Sequence, residues 1–260
     1  MNDLVAYLVN NEFGFIFILV RVSAFMTAIP FLDGTMIPTN IKVMMALSVS
    51  LLLLPLVHLS LPPVELVPLA LGLLGEVVTG LAIALGVKLL FSAIELGAEL
   101  SGLQMGFGIA NLYNPLSGQT DSVTGRLVSM LAVLVFFGIS GHHILIRALA
   151  ESFAIVPVSG FIPSGALVKN LIDLFGKMFL LGMKIAVPVT LALLLANGAL
   201  GFLSRMVPQI NLFVTSFVIT IGLGLVIFGA TLSLTIHLAR GEMEGLDRII
   251  LSLLHEMKGS

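Results

Sequence analysis

The sequence contains no cysteine and few charged residues: of its 260 residues, only 10% are Asp, Glu, Lys or Arg. Without cysteine the chain cannot form disulfides, thiolate nucleophiles, iron–sulfur clusters or cysteine-ligated zinc sites. The chain has 12 basic and 14 acidic residues, and the basic residues do not cluster in one block. Electrostatic recruitment of nucleic acid is therefore not expected. The scarcity of charge also excludes a water-soluble globule, because soluble domains carry about 25% charged residues.

Apolar residues make up 58% of the chain and are grouped in runs long enough to cross a bilayer as helices. No run alternates as a strand would, so we expect an all-α polytopic membrane protein of about six long, partly kinked helices. The N-terminal residues carry no Lys or Arg before the first run, so we expect that run not to be a cleaved signal. The predicted helices are Phe13–Phe31, Val43–Leu61, Leu66–Leu96, Leu127–Ala150, Leu171–Leu203 and Leu212–Leu238.

Two of these runs are longer than a bilayer requires. A continuous helix over Leu171–Leu203 is roughly 50 Å long, whereas the hydrocarbon core is about 30 Å thick, and Leu66–Leu96 has a similar surplus. Such helices either kink, as at Pro188, or continue beyond the bilayer inside a protein assembly; we favour the assembly. The tail Arg240–Ser260 is predicted to be an amphipathic helix that lies at an interface or docks on a partner.

Charged side chains within the apolar runs are costly in lipid and should face protein or water. One interpretation is an ion or proton pathway. The other is pairing between helices of a multi-subunit bundle, which we favour because the titratable groups do not converge into a relay. Besides Arg21, the residues concerned, predicted to be subunit contacts, are Glu76, Lys88, Glu95, Glu99, Lys177 and Lys184.

The sequence contains no recognisable catalytic motif. His142 and His143 are adjacent, so on a helix they point about 100° apart and cannot jointly bind one metal ion from one face. Metalloprotease, Walker A, nucleophile-elbow and dinucleotide-binding patterns are all absent from the sequence. We therefore expect no enzyme activity, no metal site and no cofactor.

A glycine-rich segment, Ser101–Gly125, separates the third and fourth apolar runs. Non-helical backbone at membrane depth survives only where protein buries it or where it lines a wet cavity. Its mixture of glycine with soft apolar side chains suits a loop that occludes a passage and is then displaced. The alternative, a loop with only a packing role, is equally compatible with the residues, and Gly102 and Gly106 also fit a close helix contact.

Five separated segments combine glycine, proline and charge in distinctive ways. They are Arg21 with Pro30 and Pro38, GEVVTGLAIALG at Gly75–Gly86, LQMGFGIANLYNP at Leu103–Pro115, Gly141 with His142, and RMVPQINLF at Arg205–Phe213. Together they resemble the FliR/SctT family of type III secretion export-gate subunits, over essentially the whole length of the chain.

The resemblance implies a pore subunit of the flagellar export gate, with the virulence secretion (SctT) gate as the alternative. Such subunits assemble with FliP and FliQ into a closed helical ring, with FlhB docking at its cytoplasmic entrance and FlhA as a further partner. Unfolded flagellar proteins leave through the ring, which lies in the bacterial inner membrane at the flagellar basal body. The resemblance further implies a single export-gate membrane domain with a FliP-like part over 1–170, a FliQ-like hairpin over 171–238 and the tail over 239–260.

The resemblance also assigns roles to particular residues. Within the loop at about 101–125, the part that corresponds to the family's plug is Gly106–Thr120, which closes the pore at rest. The match is best at Ile109, Leu112, Tyr113, Asn114 and Pro115. Asn114 stands where a relative has Asp, so a role that needs negative charge there is not expected. RMVPQINLF becomes the turn of the FliQ-like hairpin, or alternatively an ordinary loop. The predicted plug residues are Met105, Phe107, Ile109, Leu112, Tyr113, Asn114 and Pro115, and further subunit contacts are Pro208, Gln209 and Asn211.

Two other classes of function are weaker. A small-solute transporter would use the intramembrane charges, but transporters usually have related halves with broken helices at corresponding places, and the sequence has no such symmetry. A membrane enzyme lacks any nucleophile, metal or cofactor signature. The residues therefore favour a non-enzymatic pore subunit.

Overall fold

The computed structural model describes residues 12–27, 29–30, 37–57, 65–108, 122–206 and 212–258, and in these residues the protein is all-α. A short 3₁₀ turn, Leu54–Leu56, follows the second helix. The expected all-α membrane architecture is confirmed, and no strand occurs in the described ranges. The helices are α1 (Glu12–Thr27), α2 (Thr39–Leu53), α3 (Leu66–Gln104), α4 (Val123–Gly138), α5 (Gly141–Ile155), α6 (Gly165–Met206), α7 (Leu212–Glu244) and α8 (Leu246–Met257).

The expected number of spanning helices needs correction. Within the described residues, four stretches are long and apolar enough to cross a membrane, or five if α4 and α5 together form one span. Of the first predicted run, the structure describes the helix α1 over Glu12–Thr27, whose 16 described residues are fewer than the about 20 of a span. The fourth run is not one helix: it breaks at Ile139 and Ser140, where Ser140 adopts a left-handed conformation with φ 59°. The four stretches are Thr39–Leu56, Leu66–Gln104, Gly165–Leu203 and Thr215–Met257.

The third and fifth predicted runs form helices longer than a bilayer requires, as expected, and both helices are longer than predicted. Helix α3 has 39 residues and α6 has 42, which correspond to lengths of about 58 and 63 Å. Helix α6 continues on both sides of Pro188. Both helices are therefore about twice as long as the hydrocarbon core is thick.

The chain forms two compact units built from discontinuous segments. The first contains residues up to Leu89, Ser140–Phe175 and the residues from Glu244 onward. The second contains Leu90–Ile139 and Gly176–Met243. These units cut across the predicted 1–170 and 171–238 segments, because α3 and α6 each contribute one part to each unit. The likeness of those segments to FliP and FliQ stays a prediction.

The predicted amphipathic tail is helical, but its role differs from the expectation. Its apolar residues, which would face lipid in an interfacial helix, are buried inside the first unit. The methyl groups of Ile249 and Leu253 lie beside Gly86 of α3, and the backbone N–H of Ile162 donates to the carbonyl of Met257 at 3.0 Å. Helix α8 is thus part of this chain's own core. The buried residues are Leu246, Ile250, Leu253, Leu254 and Met257.

Candidate functional site

A buried ion pair joins two of the motifs that the sequence singled out. Arg21 of α1 and Glu76 of α3 are 0% and 1% exposed, and the Arg21 Nε–H donates to Glu76 Oε2. Arg21 Nη1 donates to Ser152 Oγ at 3.2 Å, and its guanidinium carbon lies 4.1 Å from the ring centroid of Phe153. Within the described residues Nη2 has no hydrogen-bond partner. The pair therefore ties α1, α3 and α5 together in the first unit.

Glycines on α3 create the space for this arrangement. A Cβ atom at Gly80 would lie 2.5 Å from the Arg21 carbonyl oxygen, and one at Gly75 would lie 2.9 Å from Cβ of Phe161. Larger residues would push α1 and the 157–161 turn away from α3, because real side-chain atoms do not approach so closely. The GEVVTG motif thus combines two contact glycines with the buried carboxylate.

The second oxygen of Glu76 holds a turn between α5 and α6. The backbone N–H of Ser159 donates to Glu76 Oε1 at 2.9 Å, and Gly160 N–H donates to the Pro157 carbonyl at 2.8 Å. Ser159 adopts a left-handed conformation with φ 63°, which is uncommon for a residue with a side chain. Because the carboxylate accepts this N–H, it stabilises the turn as well as neutralising Arg21.

In the second unit, α3 and α6 approach closely at two glycines. A Cβ at Gly97 would lie 2.6 Å from the Gly182 carbonyl oxygen, and one at Gly182 would lie 2.8 Å from the Ala93 carbonyl oxygen. Small residues at such crossings let helix backbones come together, as in membrane helix pairs generally. This crossing defines the buried sides of both helices in the second unit.

The glycine-rich segment begins with a well-defined helix end. The N–H of Phe107 donates to the Gly102 carbonyl at 3.1 Å, and that of Gly106 donates to the Leu103 carbonyl at 3.0 Å. Gly106 has φ 93°. This is the Schellman arrangement, in which a left-handed glycine ends a helix and satisfies its last carbonyls. Helix α3 therefore stops at Gln104, inside the stretch predicted as loop.

Met105 anchors this helix end in the core of the second unit. Its side chain is fully buried against Val189 and Leu193 of α6, and Phe107 packs on the same cluster. A Cβ at Gly224 of α7 would lie 2.9 Å from the Met105 sulfur. Gly224 thus forms the floor of a socket for Met105.

The far end of the segment is fixed beside the near end. Ser122 caps α4, accepting a hydrogen bond from the Gly125 N–H at 3.4 Å, and its Oγ lies 2.6 Å from Oγ of Thr124. A Cβ at Gly102 would lie 2.7 Å from Ser122 Oγ. The two helix ends that bracket the glycine-rich segment therefore touch.

The structure brings together only part of the predicted plug. Met105 is buried and Phe107 is half-buried, both in the second unit. Five predicted plug residues, Ile109, Leu112, Tyr113, Asn114 and Pro115, lie outside the described residues. So do the predicted subunit contacts Pro208, Gln209 and Asn211.

The predicted charged contacts differ in how far they are buried. Glu76 is buried and bonded within the chain, so its carboxylate is not presented to another subunit. The side chain of Glu99 is half-buried, and both Glu95 and Glu99 have carbon atoms within 4 Å of the Cβ position at Gly125. The others are exposed, namely Lys88, Glu95, Lys177 and Lys184.

Sequence reasoning missed several residues that complete these sites. Ser152 and Phe153, which contact Arg21, lie 131 residues or more from it along the chain. Gly224 is one of several glycines in α7, and only tertiary contact distinguishes it from Gly222, whose Cβ position meets nothing within 4 Å. Gly106 was detectable, since a glycine after an apolar helical run is the usual C-terminal signal.

The described residues contain no group of three or more His, Cys, Asp or Glu side chains that could hold a metal ion. The rings of His142 and His143 lie 4.2 Å apart, tilted by 48°. The arrangement offers buried packing and charge pairing, which are the properties of a structural component.

Comparisons with known proteins agree with this character. The family described as "Bacterial export proteins, family 1" matches residues 13–246. The chain is 32% identical to "Flagellar biosynthetic protein FliR" of Pectobacterium carotovorum over 87% of both chains. It is 32% identical to the protein of that name from Escherichia coli over 83% of both, and 29% identical to that of Aquifex aeolicus over 82% of this chain and 83% of the relative. This chain therefore belongs to the family of bacterial export proteins whose pattern it matches from α1 to the start of α8.

Proposed function

We propose that this protein is a component of the flagellar protein export apparatus. The observation that carries the proposal is the family match over residues 13–246, together with relatives called flagellar biosynthetic proteins that cover most of the chain. The same names favour the flagellar system over the virulence secretion system. The four or five potential spans agree with a membrane location, which we take to be the inner membrane at the flagellar basal body.

Within that apparatus the chain is a pore subunit that assembles with FliP and FliQ. Three features support assembly. Helices α3 and α6 are much longer than a bilayer is thick, so parts of them need cover other than lipid tails. In a highly apolar 18-residue stretch of Thr215–Met257, only 11% of the residues are buried within the chain. Lys177 and Lys184 are exposed on an apolar helix. FlhB at the cytoplasmic entrance and FlhA complete the proposed set of partners.

The segment that follows Met105 is the proposed plug, and its apolar side chains close the passage for unfolded proteins at rest. Support comes from its ends: Met105 is anchored in a glycine socket, and the Gly102 and Ser122 ends touch. A loop with fixed, adjacent ends can be displaced without moving the helices that carry it. The energy for export comes from outside this chain, which has no nucleotide-binding motif.

Deletion of the gene tests the function as a whole. We expect a strain without this chain to secrete no flagellin, and the tagged wild-type chain to restore secretion and to co-purify with FliP and FliQ from solubilised membranes. The empty expression vector is the control and should restore neither secretion nor co-purification. Normal secretion without the chain, or a solute-stabilised chain that purifies alone, would contradict the proposal.

The plug has a separate test. We expect deletion of Ile109–Asn114 to raise the ion or small-solute permeability of cells that contain the assembled complex. Replacing the same six residues by glycine and serine restores loop length without apolar side chains, and should also leak if those side chains form the seal. An assembled deletion variant that stays impermeable would refute the plug while leaving the export function standing.

A further inference from the structure

Helix α6 presents two opposite faces in the second unit. Its buried face includes Gly182, which crosses α3, and Leu181 and Ile185 beside it. Lys177 and Lys184 are exposed. Seven residues correspond to about 700° of helical rotation, so the two lysines lie almost on one line, about 10 Å apart. They point about 140–160° away from Gly182 and border the buried side of the helix at Leu181.

Both lysines lie far from the two ends of the long apolar helix α6. Lys177 and Lys184 lie about 18 and 28 Å from the start of α6 at Gly165, and Lys184 is about 33 Å from its end at Met206. Both lysines belong to Gly165–Leu203, a stretch apolar enough to cross a membrane, and within such a stretch an ammonium group faces protein or water rather than lipid tails. Neither lysine forms an ion pair within the described residues.

The surface around the lysines is shaped for another helix. Leu180 lies between them and is 59% exposed. One turn before Leu180, the Cβ position of Gly176 meets nothing within 4 Å, which leaves room for a second backbone. A lipid phosphate group would neutralise an ammonium group but would not cover the exposed side chain of Leu180 or fill the open space at Gly176.

We propose that the face formed by Gly176, Lys177, Leu180 and Lys184 binds a membrane helix of another subunit that carries two carboxylates about two turns apart. This inference rests on the proposed function and specifies its partner surface. A second copy of this chain fits poorly, because Glu95 and Glu99 are only one turn apart. Two charge pairs at matched spacing fix both the axial position and the direction of approach of the partner helix.

Zero-length cross-linking tests the pairing directly. A carbodiimide joins a lysine amine to a carboxylate through an amide bond and takes up the water that is released, so only groups in contact react. In native membranes containing the assembled complex, we expect peptides with Lys177 or Lys184 to be joined to Asp or Glu in a membrane helix of a neighbouring subunit. Cross-links elsewhere in the complex, with both lysines unmodified or joined only within this chain, would overturn the inference.

Charge reversal gives an independent measurement. We expect the Lys177→Glu/Lys184→Glu variant to retain at least tenfold less of the cross-linked partner on purification, because the reversal replaces two attractions by two like-charge repulsions. Lys177→Arg/Lys184→Arg should retain it, and the control Lys169→Glu, near the start of the same helix, should behave like wild type. Changing the two partner carboxylates to lysine should restore retention of the partner by the Lys177→Glu/Lys184→Glu variant.

The outcomes separate this inference from the function on which it rests. If the double reversal variant binds its partners normally, or loses only bound anionic lipid, the paired-carboxylate surface is wrong while the export function stands. If the wild-type chain forms no complex and its deletion leaves secretion intact, the proposed function itself fails.

Discussion

At the scale of single residues, glycines and one buried ion pair define where elements of this protein meet. Gly75, Gly80 and Gly97 each occupy a position where a Cβ atom would overlap a neighbouring segment. Gly176 of α6 and Gly222 of α7 instead face open space, so the residue type alone does not identify a contact. The effect of a substitution therefore depends on what lies opposite, and neighbouring glycines provide matched controls.

Gly224 and Gly222 of α7 form such a pair. We expect Gly224→Ala to destabilise the protein by about 1–3 kcal/mol, because its Cβ would overlap Met105 in a packed core. Gly222→Ala should be neutral or stabilising by up to about 1 kcal/mol, as alanine is the better helix former. Thermal unfolding of the purified protein in detergent measures both. Met105→Ala in the Gly224→Ala background should recover part of the loss; equal behaviour of the two glycine variants would refute the socket.

The Arg21–Glu76 pair predicts strong coupling. Arg21→Leu alone leaves a buried, unpaired carboxylate and should cost about 3–5 kcal/mol of unfolding free energy, and Glu76→Leu should cost a similar amount. The double variant should cost clearly less than the sum of the two, because neither charge is then stranded. A double-mutant cycle by thermal unfolding measures the coupling. If the losses of unfolding free energy in the two single variants add up to the loss in the double variant, the interaction between Arg21 and Glu76 does not contribute to stability.

At the scale of elements, α8 has the amphipathic sequence of a surface helix, but its apolar residues form part of the core of the first unit. The face that suits lipid packs within the chain, where α8 contacts α3 and α5. Ser164 links the start of α6 to the end of α8. Its hydroxyl donates to the Glu256 carbonyl at 2.6 Å and accepts from the Leu167 N–H at 3.1 Å. The start of α6 and the end of α8 are thus stabilised by the same side chain.

A charge placed on each side of α8 distinguishes core packing from interfacial binding. We expect Leu253→Asp to destabilise the protein by more than about 3 kcal/mol, because it buries an unpaired charge among fully covered side chains. Arg248→Asp, on the exposed side of the helix, should change stability by less than about 0.5 kcal/mol. Thermal unfolding of both variants in detergent is the measurement. If Leu253→Asp reduced only membrane association and left unfolding unchanged, α8 would be an interfacial helix after all.

At the scale of the whole molecule, the chain leaves much apolar surface uncovered by itself. The side chains of Leu52, Leu195 and Val226, on three different helices, are each at least 70% exposed. Lipid can cover part of this surface, but helices about twice as long as the bilayer core leave part of it for protein. The isolated chain is therefore expected to be less stable than the assembled one.

Co-expression tests that expectation. With FliP and FliQ present, we expect the chain to survive heating to a higher temperature than when expressed alone, because partners that bind only the folded form stabilise it by mass action. Size-exclusion chromatography of a fluorescent fusion after heating gives the transition temperature. An unrelated polytopic membrane protein, co-expressed at the same level, is the control and should have no effect. Equal transition temperatures in all three conditions would contradict the assembly proposal.

Length and composition were sufficient to predict helices, membrane residence and the approximate positions of the long apolar elements. Long apolar runs predict helices because, in a bilayer, the backbone N–H and C=O groups of a spanning segment must form hydrogen bonds within the protein. The same local signals indicated the amphipathic character of α8. The helix end at Gly106 was detectable in the same way but was not predicted, because the third run was expected to end at Leu96. The break at Ser140 was not predicted, because a left-handed serine between two glycines has no strong signature.

Only the tertiary structure decided which residues meet. Whether Glu76 pairs within the chain, which α7 glycine receives Met105, and whether the apolar side of α8 faces lipid or core all depend on contacts between distant segments. In a chain that is apolar nearly everywhere, hydrophobicity alone does not distinguish a surface covered by lipid from one covered by protein. The distinction is made by close backbone approach and by paired charge, which exist only once the helices are packed.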